Sequence, residues 1–148
     1  MVIVAEDDGD IRDLLTLALH RAGYRAATTG TGSAAAKLLT SGEPSGLITD
    51  VSMPDMSGLD LCRLAGRTPA LRNIAILMFS ASTLDRDMQA GLDAGADRYL
   101  PKPLRPGQVI AELDEILATP RNHLGIRTPV NVSSAQQGPF KLAHSDLR

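Results

Sequence analysis

The sequence predicts an α/β domain, doubly wound, with five parallel strands covered by helices on both faces. Two observations carry that expectation. Short apolar runs alternate with longer amphipathic ones from the first residue onward, and parallel strands need crossover connections of that kind. The first run, "VIVA" (2–5), is apolar throughout and mostly β-branched, as suits a strand buried on both sides.

The elements follow in order. "DIRDLLTLALHRAG" (10–23) sets Ile11, Leu14, Leu15 and Ala18 at helical spacing and halts at Gly23, a residue suited to a helix end. "YRAAT" (24–28) is a weakly patterned second strand and "GSAAAKLLTSG" (32–42) a second helix. "GLIT" (46–49) is a third strand that runs into Asp50, after which Pro54 and Gly58 mark a loop. "GLDLCRLAGR" (58–67) is the third helix and "IAILMF" (74–79) the fourth strand. "TLDRDMQAGLDAG" (83–95) and "DRYL" (97–100) are the fourth helix and fifth strand. "PGQVIAELDEILA" (106–118) closes the set, with Val109, Leu113, Ile116 and Leu117 on one face. The remainder, 119–148, is polar, holds three prolines and keeps no period, and is expected to be a flexible tail without an output domain.

Composition bounds the function. A chain of 148 residues holds one domain, with or without an appendage. Aromatic residues make up 3%, with no Trp, so the core must rest on Val, Ile, Leu, Met and Ala. A net charge of −2 supplies no electrostatic reason to bind nucleic acid or a membrane surface. The single Cys62 excludes an internal disulfide and suits a reducing compartment. No signal-peptide pattern opens the sequence and no run reaches the roughly 18 apolar residues of a membrane span, so a cytoplasmic location is expected.

Chemistry concentrates at the strand ends, where open parallel sheets bind ligands. Glu6, Asp7 and Asp8 follow the first strand, Asp50 the third, Ser80 the fourth, and Lys102 lies just past the fifth. Two carboxylates ~4 Å apart at an effective dielectric of about 20 repel by about 4 kcal/mol, a cost that a bound cation removes. An all-oxygen donor set suits Mg²⁺, and without His or Cys at the rim zinc does not fit. A carboxylate beside Mg²⁺ and a lysine is a competent nucleophile toward phosphorus, forming an aspartyl phosphate. Mg²⁺ and Lys102 would stabilise charge on the equatorial oxygens during transfer, and Ser80 would hydrogen-bond a phosphoryl oxygen of the product.

"VIVAEDDGDIR", "LITDVSMPDMSGLD", "LMFSAS" and "RYLPKPL" together resemble the receiver domain of two-component response regulators, in order and in separation, over residues 1–118. The resemblance implies a flavodoxin-like fold with strand order 2-1-3-4-5. It makes Asp50 the phosphoacceptor and Asp7 a direct ligand of Mg²⁺, for which Mn²⁺ substitutes. Glu6 would act through water, and the backbone carbonyl of Ser52 would complete the protein ligands. Lys102 would contact the phosphoryl group, with Lys102–Pro103 a cis peptide. Ser80 and Tyr99 match the switch pair, the hydroxyl moving toward the phosphate as the ring turns inward. Ser52 and Ser82 would flank the water that slowly removes the phosphoryl group. The implied partners are a sensor histidine kinase or phosphotransfer protein and a downstream effector meeting helix four, strand five and helix five. A homodimer through the same face is left open, and no contact with nucleic acid or membrane is expected.

Several of these residues also have plainer readings. Asp8 and Asp10 precede a helix and would serve as cap and first-turn acid, which leaves Asp8 a spectator. Ser80, Ser82 or Thr83 would cap the fourth helix, and Tyr99 would be half-buried with a solvated hydroxyl. Lys102 differs from an ordinary surface lysine in lying between Pro101 and Pro103, whose rings restrict its backbone. Met53 and Met56 suit loop packing, Cys62 suits a small apolar filler, and His20, His123 and His144 are assigned no role. Two rival functions stand beside this one. "DGD" (8–10) has the look of the haloacid dehalogenase nucleophile motif, but Arg12 stands where that motif wants Thr or Val, and no cap domain follows. A receiver-like module that binds partners without phosphorylation is the other.

Overall fold

The computed structural model describes residues 1–119. The expected tail beyond Thr119, with His123 and His144, lies outside them. Among the described residues five strands and five α-helices alternate: β1 (Val2–Ala5), α1 (Gly9–Arg21), β2 (Ala26–Thr29), α2 (Gly32–Ser41), β3 (Gly46–Asp50), α3 (Gly58–Arg67), β4 (Ala75–Ser80), α4 (Asp85–Asp93), β5 (Arg98–Pro101) and α5 (Pro106–Ala118). All strand pairs are parallel, in the order β2-β1-β3-β4-β5. The connection through α1 runs one way along the sheet and those through α2, α3 and α4 the other. Right-handed crossovers therefore place α1 on the opposite face from these three helices. α5 packs beside α1, and α2 beside α3.

The core is aliphatic, as the composition requires. Ile3, Val4, Leu47, Ile48, Leu77 and Met78 of the three central strands are fully buried, between Leu15 and Leu19 of α1 on one side and Leu39 and Leu61 of α2 and α3 on the other. Cys62 is buried among them, and burial pushes its thiol up to about 12, which leaves it an apolar filler. Arg98 ties β5 to α5: its Nε lies 2.6 Å from Glu112 Oε2 and its guanidinium 3.1 Å from Glu115 Oε1. No described helix is long and apolar enough to cross a membrane.

The strands reach further than hydropathy indicates. β3, β4 and β5 extend to Asp50, Ser80 and Pro101, because the ladder is made by backbone groups and Asp50 pairs with Phe79, Ser80 with Pro101. β2 starts at Ala26; Tyr24 is engaged by the end of α1 instead, its N–H donating to the Leu19 carbonyl at 2.9 Å. α4 is shorter than its pattern, spanning Asp85–Asp93. A short 3-10 turn at Pro69–Leu71, which no apolar pattern marks, lies between α3 and β4.

Candidate functional site: the acidic rim

The carboxyl ends of β1 and β3 are neighbours, so Glu6 and Asp50 meet at the rim of the sheet. Glu6 is fully buried and Asp50 is 6% exposed, while Asp7 is open to solvent. Asp8 does not join them. It caps α1, accepting the N–H groups of Asp10 at 2.9 Å and Ile11 at 3.3 Å. The Asp8 N–H donates to Glu6 Oε2 at 3.1 Å, and Arg12 donates to the Glu6 carbonyl at 2.8 Å, holding the end of β1.

Asp50 Oδ1 accepts the Ser52 N–H at 3.3 Å. Lys102 Nζ lies 3.1 Å from both Asp50 Oδ2 and Glu6 Oε1, and 5.4 Å from the Phe79 ring centroid. The Lys102–Pro103 peptide is cis, and the Lys102 N–H donates to the Ser80 carbonyl at 2.9 Å. Ser80 Oγ accepts the Ser82 N–H at 3.1 Å rather than capping α4, whose N-cap is Leu84. Gly58 explains how the β3–α3 loop closes. Its N–H donates to the Val51 carbonyl at 2.9 Å, and a Cβ there would stand 2.2 Å from the Asp50 carbonyl oxygen. Met53 and Met56 in that loop are partly buried against the core.

Burial holds the Glu6 carboxyl above its ordinary range, helped by the Asp7 carboxyl and the charge on Asp50, against the opposing pull of the Asp8 N–H and Lys102. Burial alone would lower the Lys102 value, but the hydrogen bonds and charges of Glu6 and Asp50 outweigh it and the net direction is upward. The two shifts act in separate pH windows. A raised Glu6 means that the folded state binds more protons than the unfolded one just above the ordinary value of 4.5, so stability falls as pH rises there. The raised Lys102 stabilises below its ordinary 10.5, and that contribution is lost above it. Urea midpoints of metal-free protein are therefore expected to decline from mildly acidic toward neutral pH, and Glu6→Gln is expected to flatten the decline.

Carboxylate oxygens of Glu6, Asp7 and Asp50 all lie within 4.8 Å of one another. The fit to a hard cation rests on one atom in particular. Glu6 Oε1 is buried, and the group that faces it at short range is the Lys102 ammonium, 3.1 Å away. Such an oxygen is costly unless a cation approaches. The donor set is oxygen throughout, as Mg²⁺ or Mn²⁺ requires.

Tyr99 departs from the expectation of a half-buried ring. It is 1% exposed, and its hydroxyl has no hydrogen-bond partner among the described residues. The reason lies in α4. Gly91 leaves room for the ring, since a Cβ there would stand 2.7 Å from Tyr99 Cδ2 and 3.1 Å from Met78 Sδ. Gly91→Ala is expected to displace the ring and to destabilise the domain by about 1–3 kcal/mol, the usual cost of overpacking. Tyrosine ring resonances and a urea titration would check both effects; a ring left in place would contradict the first.

Arg12 and Gly91, and Asp55 of the β3–α3 loop, whose carboxylate accepts the N–H groups of Gly32 and Ser33, carry no signal in the sequence that marks them out. "PD" within a loop signals only a turn, and Arg12 carries no motif.

The fold and this rim define a class: a doubly wound α/β module with an acidic, lysine-bearing site at the carboxyl ends of its strands. The family model for the response regulator receiver domain matches residues 2–114, and the chain belongs to that family of two-component systems. It is 35% identical over 116 residues to the transcriptional regulatory protein GltR of Pseudomonas aeruginosa, covering 78% of this chain and 48% of that protein. Identity is also 35% to the transcriptional regulatory protein AfsQ1 of Streptomyces coelicolor, covering 78% of this chain and 50% of that protein. The chain thus spans about half the length of the curated relatives it matches. Among solved structures, the chemotaxis response regulator CheY4 of Vibrio cholerae superimposes with a TM-score of 0.73 at 27% identity, covering 78% of this chain and 96% of that one.

Proposed function

We propose that residues 1–118 form a phosphorylation-operated switch whose phosphoacceptor is Asp50. The observation that carries this reading is Lys102 Nζ, 3.1 Å from Asp50 Oδ2 and from Glu6 Oε1, joining three separate segments at one nucleophile. Glu6, Asp7, Asp50 and the Ser52 carbonyl would hold Mg²⁺ or Mn²⁺. When bound, the ion supplies charge stabilisation for the transferring phosphoryl group.

The donor is a phosphohistidine of a sensor kinase or phosphotransfer protein. An Asp50 carboxylate oxygen attacks phosphorus, the P–N bond breaks, and its electron pair returns to the imidazole, which takes up a proton. Lys102 offsets part of the incoming charge, about −1.5 to −2 by analogy with other phosphoryl groups. Ser80, whose hydroxyl already engages the next loop through the Ser82 N–H at 3.1 Å, would turn to a phosphoryl oxygen. Tyr99, already 1% exposed in this structure, would be held in that buried position, and the α4–β5–α5 face would change toward an effector. Two existing conformations are rebiased, with no new one created. Hydrolysis closes the cycle when water, flanked by Ser52 and Ser82, attacks the same phosphorus and releases inorganic phosphate. The reading places the domain in the cytoplasm with its kinase.

Acetyl phosphate tests the proposal. With Mg²⁺ the protein is expected to gain the mass of one phosphoryl group, and with a chelator none. Equal labelling under both conditions would remove the metal from the mechanism.

A further inference from the structure

The β3–α3 loop carries Ser52 but is anchored away from the sheet. Asp55 adopts a left-handed backbone, φ 68°, and its carboxylate reaches the start of α2. Oδ1 accepts the N–H groups of Gly32 at 3.1 Å and Ser33 at 3.2 Å, and the Ser33 hydroxyl donates to Oδ2 at 2.5 Å. These contacts supplement the helix's own N-cap, Thr31, which accepts the Ala34 N–H at 3.3 Å. The loop backbone is flush with the helix: a Cβ on Gly32 would stand 2.1 Å from the Met56 carbonyl oxygen. Loss of charge is disfavoured, since the Ser33 hydroxyl and then the N–H groups hold the Asp55 carboxyl below its ordinary range.

The loop is thus pinned at its base, where Gly58 meets Val51 and Asp50, and midway at Asp55 against α2, with Ser52 between Val51 and Asp55. We propose that Asp55 is a positioning residue for the metal site, docking the loop on the N-terminus of α2 so that Ser52, whose N–H donates to Asp50 Oδ1 at 3.3 Å, stays beside the acidic rim and can offer its carbonyl there. This rests on the metal site proposed above. Three hydrogen bonds to the start of α2 restrict the loop at Asp55, beside the packing of Met53 and Met56 against the core. Their loss leaves the loop free to carry Ser52 away from Asp50.

Two substitutions separate side chain from backbone. Asp55→Gly keeps the left-handed conformation and removes the hydrogen bonds. Asp55→Asn tolerates the same backbone and keeps an acceptor oxygen. Calorimetric titration with Mg²⁺ is expected to show affinity about tenfold weaker for Asp55→Gly, as for other residues that orient metal ligands, and largely retained for Asp55→Asn. Thr31→Ala, which removes only the cap internal to α2, is the control for helix destabilisation and is expected to leave affinity unchanged. Wild-type affinity in Asp55→Gly would overturn the proposal and reduce Asp55 to a helix cap. Equal weakening in Asp55→Gly and Thr31→Ala would overturn it too. A wild-type chain that binds no Mg²⁺ overturns the metal site itself, and this inference with it.

Discussion

An Asp50→Asn chain is expected to gain no phosphoryl group from acetyl phosphate and Mg²⁺ under conditions that label the wild type. The amide retains the shape of the carboxylate and an oxygen that can accept the Ser52 N–H, which Asp50 accepts at 3.3 Å. It lacks the anionic oxygen that attacks phosphorus, and it no longer offers full charge to a metal ion. Removal of a nucleophile costs on the order of 10³-fold or more in rate, so labelling falls below detection. Intact-mass spectrometry reads the result, and a melting curve near that of the wild type shows that the fold is kept. Labelling at the wild-type level would take Asp50 out of the mechanism.

Lys102→Ala is expected to act most strongly on the metal-free protein. Lys102 Nζ is the cation 3.1 Å from both Glu6 and Asp50, and its loss leaves two buried carboxylates facing each other. Breaking a fully buried pair costs about 3–5 kcal/mol. The Lys102 side chain is 24% exposed, so water repays part of that cost and about 1–3 kcal/mol is expected. Saturating Mg²⁺ should restore most of the loss, because a divalent ion compensates the same oxygens. The metal-induced rise in melting temperature is therefore expected to be larger in Lys102→Ala than in the wild type. Equal stability of the two chains without metal would show that Lys102 does not compensate the rim. Phosphorylation of Lys102→Ala by acetyl phosphate should persist at a reduced rate, with the response of the α4–β5–α5 face lost.

The alternation of elements and the residues of the rim were legible because each rests on local signals. Buried parallel strands such as Val2–Ala5 and Ala75–Ser80 are written as apolar runs, and the topology of a parallel sheet brings the residues after them to one edge. Glu6, Asp50 and Lys102 could be placed together on that ground alone. Strand ends were less legible, since Asp50 and Ser80 belong to the ladder through their backbones while their side chains belong to the site. Long-range steric facts were not legible at all. Nothing in the sequence indicates that Gly91 makes room for Tyr99, or that Asp55 reaches across to Gly32 and Ser33. The burial of Tyr99 depends on an atom that is missing from a neighbouring helix, and a sequence pattern records only the atoms that are present.

The decisive measurement is the chemical location of the phosphoryl group. Borohydride reduces an acyl phosphate to the alcohol, so treated protein carries homoserine wherever an aspartyl phosphate stood. Peptide mass spectrometry after labelling with acetyl phosphate and Mg²⁺ should find homoserine at position 50 and nowhere else. Homoserine at another aspartate, or phosphate retained on a hydroxyl or imidazole after reduction, would contradict the account.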